Sequence, residues 1–151
     1  MRRTRFDDAP CPIARTTDLM GDWWTPIVMR EAFLGRRRFD EFQRALSLSR
    51  GVLAQRLGRL VDEGLLDKRL YEERPPRHEY VLTDKGRAFY PVLAAMWRFG
   101  SDWLWQDGKQ PPVQLYDRES GRPVRPLVVD EHTGVAIDVR KLRVATRAGD
   151  D

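Results

Sequence analysis

Between residues 36 and 59 the sequence carries seven arginines (Arg36, Arg37, Arg38, Arg44, Arg50, Arg56 and Arg59) against two acids, Asp40 and Glu41. That local surplus of five exceeds the net charge of +4 spread over all 151 residues. Guanidinium groups at this density suit phosphate oxygens and the acceptor edge of guanine, both of which take paired N–H donors. The stretch from Ser49 to Leu60 adds a pattern. At about 100° per residue, Leu53, Leu57 and Leu60 share one side of a helix, and Gly51, Ala54, Gln55, Gly58 and Arg59 share the other. The outward side is small and polar, so such a helix can approach a groove closely. Gln55 suits adenine and Arg59 guanine, while Arg50 at the helix start and Arg56 at the edge of the apolar stripe suit phosphates. A solvated basic face is the competing reading, and the surrounding elements weigh against it.

Other chemistries find little footing. The sequence has no G-x-S-x-G, no P-loop, no G-x-G-x-x-G and no H-E-x-x-H, and its acid pairs, Asp7-Asp8 and Glu72-Glu73, fall in loop text. One cysteine, Cys11, and two separated histidines, His78 and His132, exclude a disulfide framework and multi-cysteine zinc sites. No enzyme, cofactor or metal is therefore expected. No apolar run reaches the ~18 residues of a membrane span, and the N-terminus lacks the segments of a signal peptide, so the expected setting is cytoplasmic and away from membrane.

The elements that must position the arginines follow from periodicity. Residues 1–10 read as a loose tail. A short helix opens at Pro12 and stops at Gly21, and a second runs from Trp24 to Gly35 with Pro26 tolerated in its first turn. A third carries Phe39, Phe42, Ala45 and Leu46 and stops at Ser47. A very short turn leads to the fourth, with Ser47 or Ser49 as N-cap and Gly64 as stop. Residues 66–71 and 79–82 are strand candidates around the charged loop EERPPRH, a wing-like hairpin. Thr83 caps a long fifth helix ending near Gly108, with Pro91 predicting a kink near Arg87 or a compensating partner. Beyond Pro111-Pro112, D-x-x-[ST]-G occurs twice, at Asp117–Gly121 and Asp130–Gly134, flanked by β-branched residues; residues 113–146 read as a β-rich extension and the last residues, ATRAGDD, as frayed. The fold class is α+β: a winged helix-turn-helix, mainly helical, over residues 11–108, with a small C-terminal β extension.

The ordered set Cys11-Pro12-Ile13-Ala14, Gly21-Asp22-Trp23-Trp24-Thr25, Arg30-Glu31, Leu34-Gly35, Arg38-Phe39-Asp40-Glu41-Phe42, Leu53-Ala54-Gln55-Arg56-Leu57, Leu60-Val61-Asp62-Glu63-Gly64-Leu65, Pro75-Pro76-Arg77-His78-Glu79-Tyr80 and Leu82-Thr83-Asp84-Lys85-Gly86-Arg87 resembles the HxlR-type winged helix-turn-helix transcription regulators of bacteria. The resemblance implies a homodimer held by the first and last helices and a recognition helix at residues 49–63. It also implies a wing at 72–78 whose Arg74 and Arg77 meet the backbone or minor groove of double-stranded DNA. With Arg38, Ser49, Arg50, Gln55, Arg56 and Arg59, these form the expected DNA-binding set. The expected function is a sequence-specific regulator, a repressor more often than an activator, on an inverted repeat. A non-specific architectural binder and a protein-interaction module are the alternatives.

Two regulatory readings accompany it. Cys11 immediately precedes a helix start with Arg15 one turn on, a setting that favours thiolate, and some members of the family it resembles sense oxidants at this position. A structural cysteine at the dimer interface is the alternative. Trp23, Trp24, Met96, Trp97 and Trp103 lie on the helices that the resemblance assigns to the dimer. They read as interface core or as a pocket for a small aromatic effector.

Overall fold

The computed structural model describes residues 6–105, 109–143 and 145. They form two units, one ending at Leu93 and one beginning at Ala94. Within the first, α1 (Pro12–Met20), α2 (Trp24–Phe33), α3 (Phe39–Leu46) and α4 (Arg50–Asp62) precede a hairpin of β1 (Leu66–Glu73) and β2 (Pro76–Leu82), then α5 (Asp84–Ala88) and the start of α6 (Tyr90–Trp103).

Local chemistry sets the helix ends. Pro12 occupies the first turn of α1, where its missing N–H is harmless. Asp22 Oδ1 accepts the Trp24 N–H at 2.9 Å at the start of α2. Ser47 ends α3 in the left-handed region, φ 52°, and the Ser49 hydroxyl accepts the Val52 N–H at 3.4 Å to begin α4. Only Ser47, Leu48 and Ser49 separate the two helices. Gln43 spans the turn by donating to the Leu48 carbonyl at 3.2 Å.

The core explains why these helices hold one arrangement. Val28 and Met29 of α2, Phe42 of α3, and Leu53, Leu57 and Leu60 of α4 are buried together with Leu65, Leu66, Tyr80 and Phe89. Each large apolar side chain so buried contributes about 1.5–3 kcal/mol. The stripe at 53, 57 and 60 turns the opposite side of α4 outward.

The wing is longer than its apolar text implies. Its antiparallel register runs from Leu66↔Leu82 to Glu73↔Pro76, with an irregularity between Leu70 and Glu72. Glu72, Glu73, Pro76, Arg77 and His78 are thus paired strand residues, leaving Arg74 and Pro75 at the tip. Backbone pairing in a two-stranded ribbon does not need apolar side chains, and Pro76 costs nothing at a strand's first residue. The α2–α3 connector adds a rung: Tyr80 N–H donates to the Arg37 carbonyl at 2.7 Å, and Arg38 bridges to Glu79.

The kink expected near Arg87 is a break at Phe89. Helix α5 stops at Ala88 and α6 begins at Tyr90, which brings Pro91 into a first turn, where it is tolerated. Phe89 spans the junction, buried in the core. Helix α6 ends at Trp103, and the end expected near Gly108 lies outside the described residues.

The second unit contains the rest of α6, residues 109–143 and Ala145. Its two D-x-x-[ST]-G segments are tight turns. Asp117 Oδ1 accepts the Ser120 N–H and hydroxyl, each at 2.7 Å, and Asp130 Oδ1 accepts the Thr133 N–H at 2.9 Å. Gly121 and Gly134 close them at φ 65° and 66°, a region that favours glycine. Each turn is joined by one bridge, Tyr116↔Pro123 or Val129↔Ala136, so the β meander is reduced to two hairpin turns. None of the described side chains from 109 to 143 is buried, leaving no apolar layer to align continuous strands. A 3-10 turn, Val139–Lys141, follows. Of the loose tail and frayed end, residues 1–5 and 146–151 lie outside the described residues.

Candidate nucleic-acid interface

The exposed side of α4 presents Gly51, Ala54, Gln55 and Gly58 at helical spacing. A Cβ built on Gly51 or Gly58 would meet nothing within 4 Å. The surface is therefore shallow, with Gln55 its longest polar group. At its head, the Arg50 guanidinium lies 5.1 Å from the Phe39 ring centroid, and beside the wing Arg38 lies 4.8 Å from that of Tyr71. Stacking on a ring favours a defined position for each charge while its N–H edge stays exposed. Ser49 spends a lone pair on the α4 cap and keeps its O–H proton to donate.

Glu41 fixes the connector that carries Arg38. Its Oε2 accepts the Arg38 N–H at 3.0 Å and the Arg37 N–H at 2.9 Å, and these bonds hold its pKa below the ordinary value of 4.5. A lowered folded-state pKa gives stability that is complete above 4.5 and lost as pH falls through the folded value. Glu41→Gln is accordingly expected to be less stable than the parent at pH 6 and to lose less stability on going to pH 3. Urea unfolding at the two pH values checks this.

Arg56 and Arg59 differ in placement from the sequence expectation. Arg56 forms an ion pair with Asp22 Oδ2, whose other oxygen caps α2. Arg59 donates to the Asp18 carbonyl at 2.9 Å, and its guanidinium fills the space where a Cβ on Gly21 would lie. Both side chains are half-buried and reach back to the α1–α2 turn instead of outward. Near the edge of a helix, a long side chain can cover neighbouring surface and take its partner there. Arg36 is likewise committed: with Arg30 it pairs with the buried Glu31 carboxylate, at 3.0 and 2.5 Å. At the wing, Arg74 is exposed at the tip, and Arg77 stands 3.3 Å from Glu72, both well exposed. A pair so wet is worth little and is readily exchanged for phosphate.

Residues 19–108 match the model of the HxlR-like helix-turn-helix family. The chain belongs to the HxlR family. The uncharacterized HTH-type transcriptional regulator Rv3095 of Mycobacterium tuberculosis is 35% identical over 130 residues, 86% of this chain and 82% of that one. The uncharacterized HTH-type regulator sll1512 of Synechocystis is 44% identical over 98 residues, 64% and 73% of the two chains. Among solved structures, the candidate transcription factor PA1607 superposes with a TM-score of 0.84 at 38% identity, covering 95% of this chain and all of that one. The redox regulator HypR in its reduced form gives 0.57 at 31% identity, over 61% and 92%. This HxlR-type protein is a DNA-binding helix-turn-helix transcriptional regulator and not an enzyme. Among the described residues, no helix is long and apolar enough to cross a membrane, and no group of three or more His, Cys, Asp or Glu could hold a metal ion.

In this HxlR-type chain Cys11 is exposed at the N-terminus of α1. Arg15, one turn on, donates through Nε to the Ala9 carbonyl at 2.6 Å, so its head is directed at backbone. Of the aromatic set, Trp23 (77% exposed) and the half-buried Trp24 belong to the first unit, and Met96, Trp97 and Trp103 (74% exposed) to the second. The sequence reading placed Phe39 on a helix face and Tyr71 in a strand but missed their role as ring platforms for Arg50 and Arg38. Aromatic residues near an arginine-rich run were the available signal, Phe39 adjoining Arg38 and Tyr71 ending the strand candidate at residues 66–71.

Proposed function

We propose that the chain is a homodimeric, cytoplasmic repressor that reads an inverted repeat, with α4 in the major groove and the β1–β2 tip on the adjoining backbone or minor groove. The carrying observation is the shallow exposed face of α4, with Gln55 at its centre and the ring-stacked Arg50 and Arg38 beside it. Gln55 reads a base edge; Arg38, Ser49, Arg50, Arg74 and Arg77 hold phosphates. Arg56 and Arg59 act one step back, fastening α4 to the α1–α2 turn. Exposed apolar side chains on α1 (Ile13) and on α6 (Met96, Phe99, Trp103) support pairing with a second copy through these helices, which sets half-sites about one helical turn of DNA, or a multiple, apart.

Selection of the purified protein on random duplex DNA at ~150 mM salt tests this. An enriched inverted repeat is expected. Gln55→Ala should relax preference at one position per half-site, costing about 1–3 kcal/mol on cognate DNA. Arg77→Ala should weaken all sequences alike and flatten the salt slope by about one unit. Arg59→Ala should also cost cognate and random DNA equally, with a lowered Tm. Binding without enrichment would favour a non-specific architectural protein, and no binding by the folded dimer a protein-interaction module.

Two controls fit the exposed groups: a small aromatic effector, and oxidation of Cys11. HypR, a redox regulator, is similar over 61% of this chain. With one cysteine per chain, diamide would take two electrons and two protons from the Cys11 thiols of two protomers, leaving a disulfide across the dimer and a hydrazine product. Repeating the selection with diamide, on the parent and on Cys11→Ser, tests this control. Loss of enrichment in the parent alone is expected, and unchanged enrichment in the parent would remove the thiol from the mechanism.

A further inference from the structure

The extension after Pro112 has no evident use in the winged fold. The redox regulator HypR, covered over 92% of its own length, matches only 61% of this chain, and the reduced form of YodB from Bacillus subtilis, covered over 93%, matches 62%. PA1607 covers 95% of the chain. The extension adds no buried side chain among its described residues, so apolar burial does not account for it. It is nevertheless fastened to the second half of α6. Arg98 donates to the Pro126 carbonyl at 3.0 Å, and Asp102 binds Arg98 at 2.5 Å and Arg125 at 2.9 Å.

Beside these bonds lies a partly open cavity of about 490 Å³, within the range of small-molecule sites. The indoles of Trp97 and Trp105 and the aliphatic Leu115 and Val124 line it, surfaces that suit a flat ring. Its charge is lopsided. Arg125 and Lys109 both line it, against Asp102 alone. That carboxylate is shared by two guanidiniums, whose hydrogen bonds, Arg98 first, hold its pKa below the ordinary carboxylate range. An incoming cation would compete with two bound arginines for Asp102, whereas an anion meets donors of its own sign preference.

We infer that this cavity is a binding site for a planar aromatic carboxylate, lodged between Trp97 and Trp105 with its anionic end toward Arg125 and Lys109. The inference rests on the effector-controlled reading above and narrows it to a place and a charge class.

The test is calorimetric titration of the full chain with 2-naphthoate, 2-naphthamide and 2-naphthylmethylamine. Saturable binding of naphthoate is expected, about tenfold weaker for the amide and weaker again for the amine. Trp105→Ala and Lys109→Gln, which leave the Arg98–Asp102–Arg125 bonds intact, should each weaken naphthoate about tenfold. Trp23→Ala, outside the lining, should not. No saturable naphthoate binding, equal affinity for all three compounds, or full retention in both variants would overturn the inference. Because the readout contains no DNA, failure here with an enriched operator sinks only the cavity, and binding without an enriched operator sinks only the regulator reading.

Discussion

Gly58→Leu is expected to raise the unfolding free energy by roughly 0.5–1 kcal/mol while weakening DNA binding at least a hundredfold. The first effect follows from helix propensity: glycine in a helix interior is about 1 kcal/mol worse than alanine, and leucine is nearly as good as alanine. Nothing lies within 4 Å of a Cβ at this position, so no packing term opposes the gain. The second follows from the proposed docking. Gly51, Ala54 and Gly58 form the shallow side that would face the base edges, and a branched side chain there would hold the helix axis away from them. The loss of a hundredfold corresponds to about 2.8 kcal/mol, and it should fall on cognate and random duplexes together. Urea unfolding and fluorescence anisotropy on one preparation give both numbers. A variant that is stabilised and still binds normally would mean that another face of the protein meets DNA.

The opposite signs matter because the fold itself supplies no reason for glycine at 51 and 58. In contrast, the arginines were only partly legible. Their number and clustering led to the expectation of a phosphate-binding surface, and of the set Arg38 and Arg50 stand exposed on ring platforms. Helical phase alone put Arg59 outward, because a phase angle describes where Cβ points and a guanidinium ends several bonds farther on. Its actual partner, the Asp18 carbonyl, belongs to α1, forty-one positions earlier, and no periodicity within α4 can reveal it. The same holds for Arg56 and Asp22.

The fold was legible where a local cue decided it. Pro12, Ser49 and Thr83 each mark the helix boundary that their chemistry favours, whereas Ser47, the other N-cap candidate, ends α3 in the left-handed region. The wing was under-read because Glu72, Glu73 and Arg77 pair through backbone in a solvated ribbon, where side-chain alternation carries no signal. Pro91 announced a distortion without saying whether a helix would bend or restart, and the burial of Phe89 resolves it as a restart. In the extension the turns were legible from aspartate and glycine, but strands were over-read, since β-branched residues favour strands only where there is something to pack against.

Gly86→Ala should cost about 3 kcal/mol and lower Tm by more than about 10 °C, although alanine is the better helix former. A Cβ on Gly86 would overlap the Leu65 carbonyl oxygen and press on Leu82 Cδ2 at 3.2 Å. The obstacle is backbone, so it cannot swing aside as the end of a flexible side chain would. Nor can the backbone move alone. The Leu65 carbonyl also accepts the Thr83 N–H at 3.2 Å, and the Thr83 hydroxyl donates to the Gly64 carbonyl at 2.6 Å while accepting the Gly86 N–H at 2.9 Å. Relieving the overlap therefore separates α5 from the junction where α4 ends and β1 begins, and breaks these bonds together. Overpacking against a fixed atom outweighs the roughly 1 kcal/mol of helix propensity gained. A calorimetric melt at or above the parent Tm would show that the contact yields at little cost. Below its melting point, the variant should still bind DNA more weakly, because α4, the proposed recognition helix, and the wing are joined through that junction.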